Sequence, residues 1–458
     1  MPYKKKVMFI SFDAIAVSGI TVEAAKLACY LNNKGFESFI DLGYDIKIDK
    51  GNFAKPYSCY EKSIFDKHFK LVRINDTHLL KNYTPEFIDK LNNSLIKCTT
   101  KINLIEKNKL LEQIDIVANE LSEIIFKIWN KLQITHLVIE NGTLPENIIY
   151  TKALYKSIEK YGSQKNLACF VLWRDHDLMW NSETLSKKYG QEPWHYAIKP
   201  IKSKYIKYVT LNNSLAKKRK DWSKQDINID VMRNTYLFNN NNHDRINIRD
   251  RFNITKNDFL IARTTRIIPE KKLERDIYLV KKLNDLYTKN NKSCSIYLII
   301  AGDEKENSDY SHYLRKYIKE LELENFIRFS GPLQHDFIEN ENNKPTIQDL
   351  YYSSDMVSFL TSYDYDSYGN PIGEAISHNR CYISTSYEYY HEVYGQHGFK
   401  TELMNISPKE DGLPDDDFIQ RVYNLINDQN KTAALVKHNF NIGKNLLSNQ
   451  VINKIFNI

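Results

Sequence analysis

The 458-residue sequence predicts an α/β protein of two parallel-sheet domains, and three observations carry that reading. The length exceeds what a single hydrophobic core usually serves, at an apolar content of 42% that is ordinary for a globular chain. The chain opens on a β-α-β pattern. Its second half repeats short apolar runs that end in turn residues and lead into amphipathic stretches, the signature of strands feeding crossover helices.

In the first half, residues 6–12 read as a strand and residues 13–20 as a loop containing Gly19. Residues 21–34 follow as a helix with Val22, Ala25, Leu27, Ala28 and Leu31 on one side, ended by Gly35. Residues 37–42 give the next strand. The stretch 45–134 is long for one βα excursion and mostly helical in pattern, notably over 110–132, so it reads as a helical elaboration of the first domain. Two polar strand ends follow. One is Leu137-Val138-Ile139-Glu140-Asn141, continuing to Leu144-Pro145-Glu146-Asn147; the other is the run 170–173 closing on Arg174-Asp175-His176-Asp177. A satisfied histidine at a polar strand end explains the second equally well, and Arg174 could steer an anionic acceptor or pair with Asp177.

The asparagine-rich run 238–244 marks the domain boundary, giving a first domain over 1–238, a second over 239–440 and a final helix over 441–458, within helix-like patterning over 433–458 in which Gly443 is a candidate break. The second domain begins with a strand over 258–265. It runs into Arg266-Ile267-Ile268-Pro269-Glu270-Lys271 and an amphipathic stretch over 273–283. Two cations at the carboxyl end of a strand can clamp a diphosphate, Arg through a planar fork and Lys as a point charge. Basic residues also decorate helix starts without further role. After a run ending Ala301-Gly302-Asp303, a helix over 310–323 and the turn Ser330-Gly331-Pro332 comes an apolar strand, 354–360. Next stands Asp366-Ser367-Tyr368-Gly369-Asn370-Pro371-Ile372-Gly373-Glu374, two carboxylates eight positions apart across a turn that opens a helix. Asn370 suits the N-cap and Pro371 the first helical position. The amides near Tyr368, Gly369 and Asn370 would then lie at the positive end of a helix dipole, a place for phosphate or sugar hydroxyls. An ordinary strand-loop-helix junction with solvated acids accounts for the same residues.

The order of these four motifs resembles the nucleotide-binding half of the family-4 retaining glycosyltransferases. The resemblance implies the GT-B fold: two Rossmann-like domains facing a central cleft, with a C-terminal helix crossing back to the first. Its Arg-x4-Lys pair falls on Arg266 and Lys271, its Ser/Thr-Gly turn near the nucleobase on Ser330-Gly331, close to Leu333, and its Glu-x7-Glu motif on Asp366 and Glu374. Asp366 is one methylene shorter than the family's Glu. The first-domain segments around Gly19, Glu140-Asn141 and Arg174-Asp175-His176-Asp177 resemble the mannosylglucosylglycerate synthase-like members.

What the resemblance implies is retaining transfer of a sugar from a UDP- or GDP-sugar to a glycan, lipid-linked or small-molecule acceptor. Catalysis falls to His176, Asp366, Arg266 and Lys271. The donor falls to Gly19, Arg266, Lys271, Leu333, Tyr368, Gly369, Asn370 and Glu374, and the acceptor to Glu140, Asn141, Arg174 and Asp177. No cofactor and no metal are implied, because two cations take the place of the ion that other transferases use. A non-catalytic nucleotide-sugar-binding partner subunit, or an epimerase or phosphorylase of the same fold, remains compatible with these residues.

Composition constrains the setting. The balance of 64 basic against 57 acidic residues leaves +7, too modest to point to nucleic acid. The cluster Lys217-Lys218-Arg219-Lys220 suits a solvated helix face or contact with anionic lipid. Six cysteines show no metal-ligand spacing and read as reduced thiols. No run of eighteen apolar residues occurs, and Asp13 interrupts the apolar stretch behind Lys4-Lys5-Lys6, so that start reads as a first strand rather than a leader. The expected location is the cytoplasm, with peripheral contact to the inner face of a membrane left open.

Overall fold

The computed structural model describes residues 5–11, 19–41, 67–72, 74, 80, 83–145, 147–179, 196–238, 245–336 and 344–456. The chain divides into two compact units, Met1–Arg233 and Asn234–Ile458.

The first unit holds seven strands: β1 (Lys6–Ser11), β2 (Glu37–Asp41), β3 (Lys70–Val72), β4 (His136–Glu140), β5 (Val171–Asp175), β6 (Ile206–Thr210) and β7 (Ile229–Val231). They form one sheet in the order β3-β2-β1-β4-β5-β6-β7, every pair parallel. Its helices are α1 (Gly19–Asn33), α2 (Pro85–Leu91), α3 (Leu104–Leu132), α4 (Ile148–Lys165) and α5 (Asn213–Ser223). Parallel strands are covered on both faces, which is why β1 and β4 read as near-continuous apolar runs. Gly35, at φ +86°, ends α1 while the Phe36 amide donates to the Leu31 carbonyl, so a residue without a side chain is needed there. Asn103 opens α3 with a complete capping box to Glu106. The core gathers Trp129 of α3, Tyr150 and Tyr161 of α4 and Trp173 of β5. The expected helical elaboration over 45–134 includes the edge strand β3, whose three residues are too short and too exposed for a period-2 signal; residues 42–66 lie outside the described part.

The second unit carries β8 (Phe259–Thr264), β9 (Ile296–Ala301), β10 (Ile327–Phe329), β11 (Met356–Phe359), β12 (Cys381–Thr385) and β13 (Glu402–Met404). Their order is β10-β9-β8-β11-β12-β13, again all parallel. Its helices are α6 (Ile248–Arg251), α7 (Leu273–Lys289), α8 (Ser308–Glu320), α9 (Ile347–Ser353), α10 (Asn370–Ser377), α11 (Tyr390–Val393), α12 (Asp416–Asn427), α13 (Gln429–Leu446) and α14 (Gln450–Phe456). Counted from its own first strand, this is the 3-2-1-4-5-6 order of a doubly wound nucleotide-binding sheet. The first unit repeats that order with one strand added. In such sheets ligands meet the carboxyl edge where the strand order reverses, between β1 and β4 in one unit and between β8 and β11 in the other.

Three expectations are corrected. The division falls at 233/234 rather than 238/239, because the residues before the asparagine run are bound into the second unit: the Tyr236 amide donates to the Leu447 carbonyl and Tyr236 bridges Ser448. Gly443 does not break a helix. It lies inside α13, where a Cβ would stand 2.6 Å from Ile376 and 3.0 Å from Phe238, so the glycine serves close packing. The final 441–458 segment is accordingly the end of α13 plus α14, grouped with the second unit. Among the described residues no helix is long and apolar enough to cross a membrane.

Candidate active site

At the carboxyl edge of the second sheet, β8 exits through Arg266 into a 3-10 turn, Pro269–Lys271, and β11 exits into the loop that carries Asp366. These exits bring the two clusters of the sequence together. The Lys271 Nζ donates to Asp366 Oδ1 at 2.5 Å and stands 4.6 Å from the centre of the Tyr365 ring. The second Asp366 oxygen accepts from Thr361 Oγ1. Lys271 is only 8% exposed, and that burial pushes its amine below the ordinary lysine value, while Asp366 pulls it back up. Arg266 is far more open: its Nε donates to Glu306 at 2.6 Å and its Nη1 to the Tyr365 hydroxyl at 3.1 Å.

Two buried arginines hold this arrangement from behind. Arg263 of β8 donates to the Lys271 and Ser358 carbonyls at 2.8 and 3.0 Å, with its Nε 3.3 Å from Asp276. Arg275 of α7 donates to the carbonyls of Thr361 and Gly412 and to Asp411. One guanidinium therefore fixes the backbone under Lys271, and the other fixes the backbone under the threonine that holds Asp366. Burial raises the Asp276 carboxyl above its usual range against the opposing pull of Arg263.

Glu374 lies in the first turns of α10, its Oε2 accepting from the Tyr351 hydroxyl at 2.5 Å and its Oε1 3.8 Å from His335 Nε2. Tyr351 reaches Thr264 at the end of β8, which anchors the carboxylate over the switch point. Burial, with Glu374 adding to it, drives the Tyr351 hydroxyl well above its ordinary value, so the phenol stays a donor. The N-cap of α10 is Gly369 rather than the expected Asn370: at φ +85° it takes a left-handed conformation, and a Cβ there would stand 2.7 Å from the Tyr387 hydroxyl. The Asn370 side chain is instead spent on packing, its Oδ1 accepting from Asn234 at 2.8 Å and from the Tyr236 hydroxyl at 2.9 Å. The carbonyls of Tyr368 and Gly369 accept from the Tyr387 and Tyr394 hydroxyls at 2.6 and 3.0 Å, which fixes the loop with its carbonyls turned inward. Leu333 is half-buried just before His335, whose ring contacts Gln348.

Gly302 explains the Ala-Gly-Asp strand end. A Cβ there would stand 2.2 Å from the Thr265 carbonyl oxygen, so only glycine lets β9 pass beside the exit of β8. Gly302→Ala is expected to displace the Arg266 turn and lower the melting temperature. A melt that matches the wild type would contradict that account.

The first unit builds its own cluster at the β1/β4 switch. Glu140, the last residue of β4, is fully buried with its Oε2 2.8 Å from His176 Nε2 and 3.5 Å from Arg174 Nε. Arg174 stands 3.6 Å from Glu23 of α1, which also pairs with Lys26. Asn141, at φ +57°, turns the chain so that its Oδ1 accepts the His176 and Asp177 amides at 2.7 and 3.2 Å. The neighbouring Asp175 is turned away, held by Thr143 and by Arg219 at 2.7 Å; burial raises its carboxyl above the usual range. The structure thus brings Glu140, Asn141, Arg174, His176 and Asp177 together, with Arg174 beside Glu23 and Glu140. Gly19 opens α1 and is exposed. Sequence reasoning missed Thr361, Tyr351, His335, Arg263, Arg275 and Glu23. They lie on elements whose contact with the motifs exists only after the sheet forms, and no local pattern marks them.

No family model matches the chain. Across 93% of its length it is 22% identical to mannosylglucosylglycerate synthase of Petrotoga mobilis, covering 95% of that protein. Sucrose-phosphate synthase from Thermosynechococcus elongatus superimposes with a TM-score of 0.64 at 12% identity, over 99% of this chain and 97% of that one. Anabaena HepE, in a complex with UDP-glucose, superimposes with a TM-score of 0.58 at 12% identity, over 99% and 100%. The chain has the GT-B glycosyltransferase fold. In GT-B terms the second unit carries the motif-bearing doubly wound sheet, with Arg266, Lys271, Asp366 and Glu374 at its switch point, and the first unit carries the His176 cluster.

Proposed function

We propose that this GT-B chain is a retaining glycosyltransferase that moves a sugar from a UDP- or GDP-sugar to a glycan, lipid-linked or small-molecule acceptor. The observation that carries the reading is the buried Lys271–Asp366 pair at the carboxyl edge of the second sheet, beside the N-terminus of α10. A lysine drawn into a switch point, where a carboxylate opposes the loss of charge that burial favours, suits a leaving diphosphate, whose negative charge grows as the glycosidic bond breaks. Arg266, open and forked, adds a second cation to the same phosphates. The α10 dipole favours the anion as well. The UDP-glucose complex of Anabaena HepE supports a nucleotide-sugar donor, and likeness to the Petrotoga mannosylglucosylglycerate synthase supports synthesis of a glycoside.

In the proposed reaction the bond from the anomeric carbon to the phosphate oxygen breaks, and the acceptor oxygen bonds to the same face of that carbon. The departing phosphate oxygen takes the acceptor's proton, so no enzyme nucleophile is required. Asp366 holds the donor sugar alongside Lys271, Glu374 accepts from the ribose hydroxyls, and His176 serves catalysis from the first unit's cluster. No cofactor takes part in this scheme, and the cations take the role of a metal.

A thermal-shift screen of UDP-, GDP- and ADP-sugars tests it, since a ligand that binds only the folded state raises the apparent stability. One nucleotide series should raise the melting temperature, and its sugar should be released or transferred on incubation. No shift with any series and no nucleotide release would contradict the proposal. Glu374→Gln should weaken nucleotide binding by roughly ten-fold or more, as a charge-assisted hydrogen bond worth about 1.5–3 kcal/mol becomes neutral. Unchanged affinity by calorimetry would place the ribose elsewhere.

A further inference from the structure

The glutamate that ends β4 has a geometry that fits a different task from holding an acceptor. Glu140 is fully buried, and its Oε2 lies 2.8 Å from His176 Nε2. A carboxylate has no proton to give, so the ring nitrogen facing it must be the donor. That contact fixes the imidazole tautomer with its proton on Nε2. The backbone repeats the constraint: Asn141, in its left-handed turn, accepts the His176 and Asp177 amides on one side-chain oxygen, while its own amide donates to the Arg174 carbonyl at 2.8 Å. Ring and main chain of His176 are therefore both set by the two residues that end β4.

Several charged groups among the described residues lie near this pair. Arg174 of β5 lies 3.5 Å from Glu140 and 3.6 Å from Glu23 of α1, and Lys26 of α1 pairs with Glu23. Asp175 faces the other way onto Arg219 of α5, and Asp177 sits half-buried at the rim. Glu140 and Glu23 thus face the two cations Arg174 and Lys26. A second observation points to a ligand: among the described residues, neither Glu140 Oε1 nor Asn141 Nδ2, both buried, has a hydrogen-bond partner, one able only to accept and the other only to donate. Together they would satisfy a single hydroxyl group, which can give one hydrogen bond and receive another.

We infer that Glu140 is a positioning residue that locks the His176 imidazole as its Nε2–H form, while its free oxygen and the Asn141 amide receive one hydroxyl of the bound sugar or acceptor. This rests on the glycosyltransferase reading for its kinetic consequence but not for its structural one. The chemistry identifies a hydroxyl-bearing ligand, and it excludes the carboxylate of an acidic acceptor from the Glu140 side of the cluster.

Nitrogen-15 NMR of histidine-labelled full-length protein tests the structural half without any activity, with the His176 signals assigned by their loss in His176→Gln. The ring should show a proton on Nε2 on the alkaline side of its titration. A neutral ring protonated on Nδ1 would overturn the assignment. For the kinetic half, Glu140→Gln keeps the shape and removes the charge, so it should lower kcat by roughly ten-fold or more, the range seen when the partner orienting a working histidine is lost. KM for the acceptor should move much less. A raised KM at unchanged kcat would make Glu140 an ordinary acceptor ligand and overturn the positioning role. Asn141→Asp, which places an acceptor where the unpaired donor stands, should raise the KM of whichever substrate uses that hydroxyl; unchanged KM values for both substrates would remove the hydroxyl subsite. If no transfer activity is found in the wild type, the NMR result still decides the ring assignment.

Discussion

Lys271→Met is expected to lower the rate of sugar transfer by about two or more orders of magnitude, the scale for removing charge stabilisation at a leaving group. Methionine keeps an apolar stem of similar length and removes the ammonium, together with its contact to the Tyr365 ring. Because Lys271 is buried on Asp366, its loss also leaves a carboxylate whose remaining hydrogen-bond partner among the described residues is Thr361. Breaking such a pair costs stability as well as rate. A melt of the variant separates the two effects: a folded protein with a lost rate locates the effect in the chemistry, and a folded protein at near-normal rate would remove Lys271 from the site. Arg266→Ala is expected to cost less, since Arg266 is open to solvent and shared between Glu306 and Tyr365.

The second large effect is expected at Asp366, where the chain carries Asp in place of the Glu of the glycosyltransferases whose motif it resembles. In the wild type, burial lowers the Lys271 amine and Asp366 is the main group that raises it. Asp366→Asn removes that support, so the amine falls further and the ammonium is lost at lower pH. The alkaline limb of the rate profile should then move to lower pH, with a reduced rate across the range. Asp366→Glu keeps the charge but lengthens a side chain already fitted between Lys271 and Thr361, and should give an intermediate rate. The predicted order at saturating donor is wild type, then Glu, then Asn. Equal rates in all three would show that neither the sugar nor Lys271 depends on this carboxylate.

Much of this site is legible in the sequence because its residues ride on local patterns. Arg266 and Lys271 follow an apolar strand, and Asp366 and Glu374 bracket a turn before a helix, so each pair is placed by rules of period and capping. That the two pairs meet is a consequence of strand order, β8 lying directly beside β11, which no local pattern encodes. The supporting residues were hidden for the same reason. Arg263 reads as a basic residue in a strand, and nothing in its neighbourhood shows that it will be fully buried under the Lys271 carbonyl. Asn370 misled in the other direction. Its type and its place before Pro371 suit an N-cap, but Gly369 can enter the left-handed region at lower cost, which releases the Asn370 side chain to accept from Asn234 and Tyr236. Gly443 shows the opposite failure of a propensity rule, since tertiary packing against Ile376 and Phe238 outweighs the roughly 1 kcal/mol that glycine costs inside a helix.

The central claim is that the second unit's switch point holds a nucleoside diphosphate through Lys271. Calorimetric titration of the matched nucleoside diphosphate and monophosphate into the wild type and Lys271→Met addresses it most directly. The wild type should bind the diphosphate more tightly than the monophosphate, and the variant should lose most of that difference while binding the monophosphate nearly as before. A preference for the diphosphate that survives unchanged in Lys271→Met, in a protein that melts as the wild type does, would contradict the account.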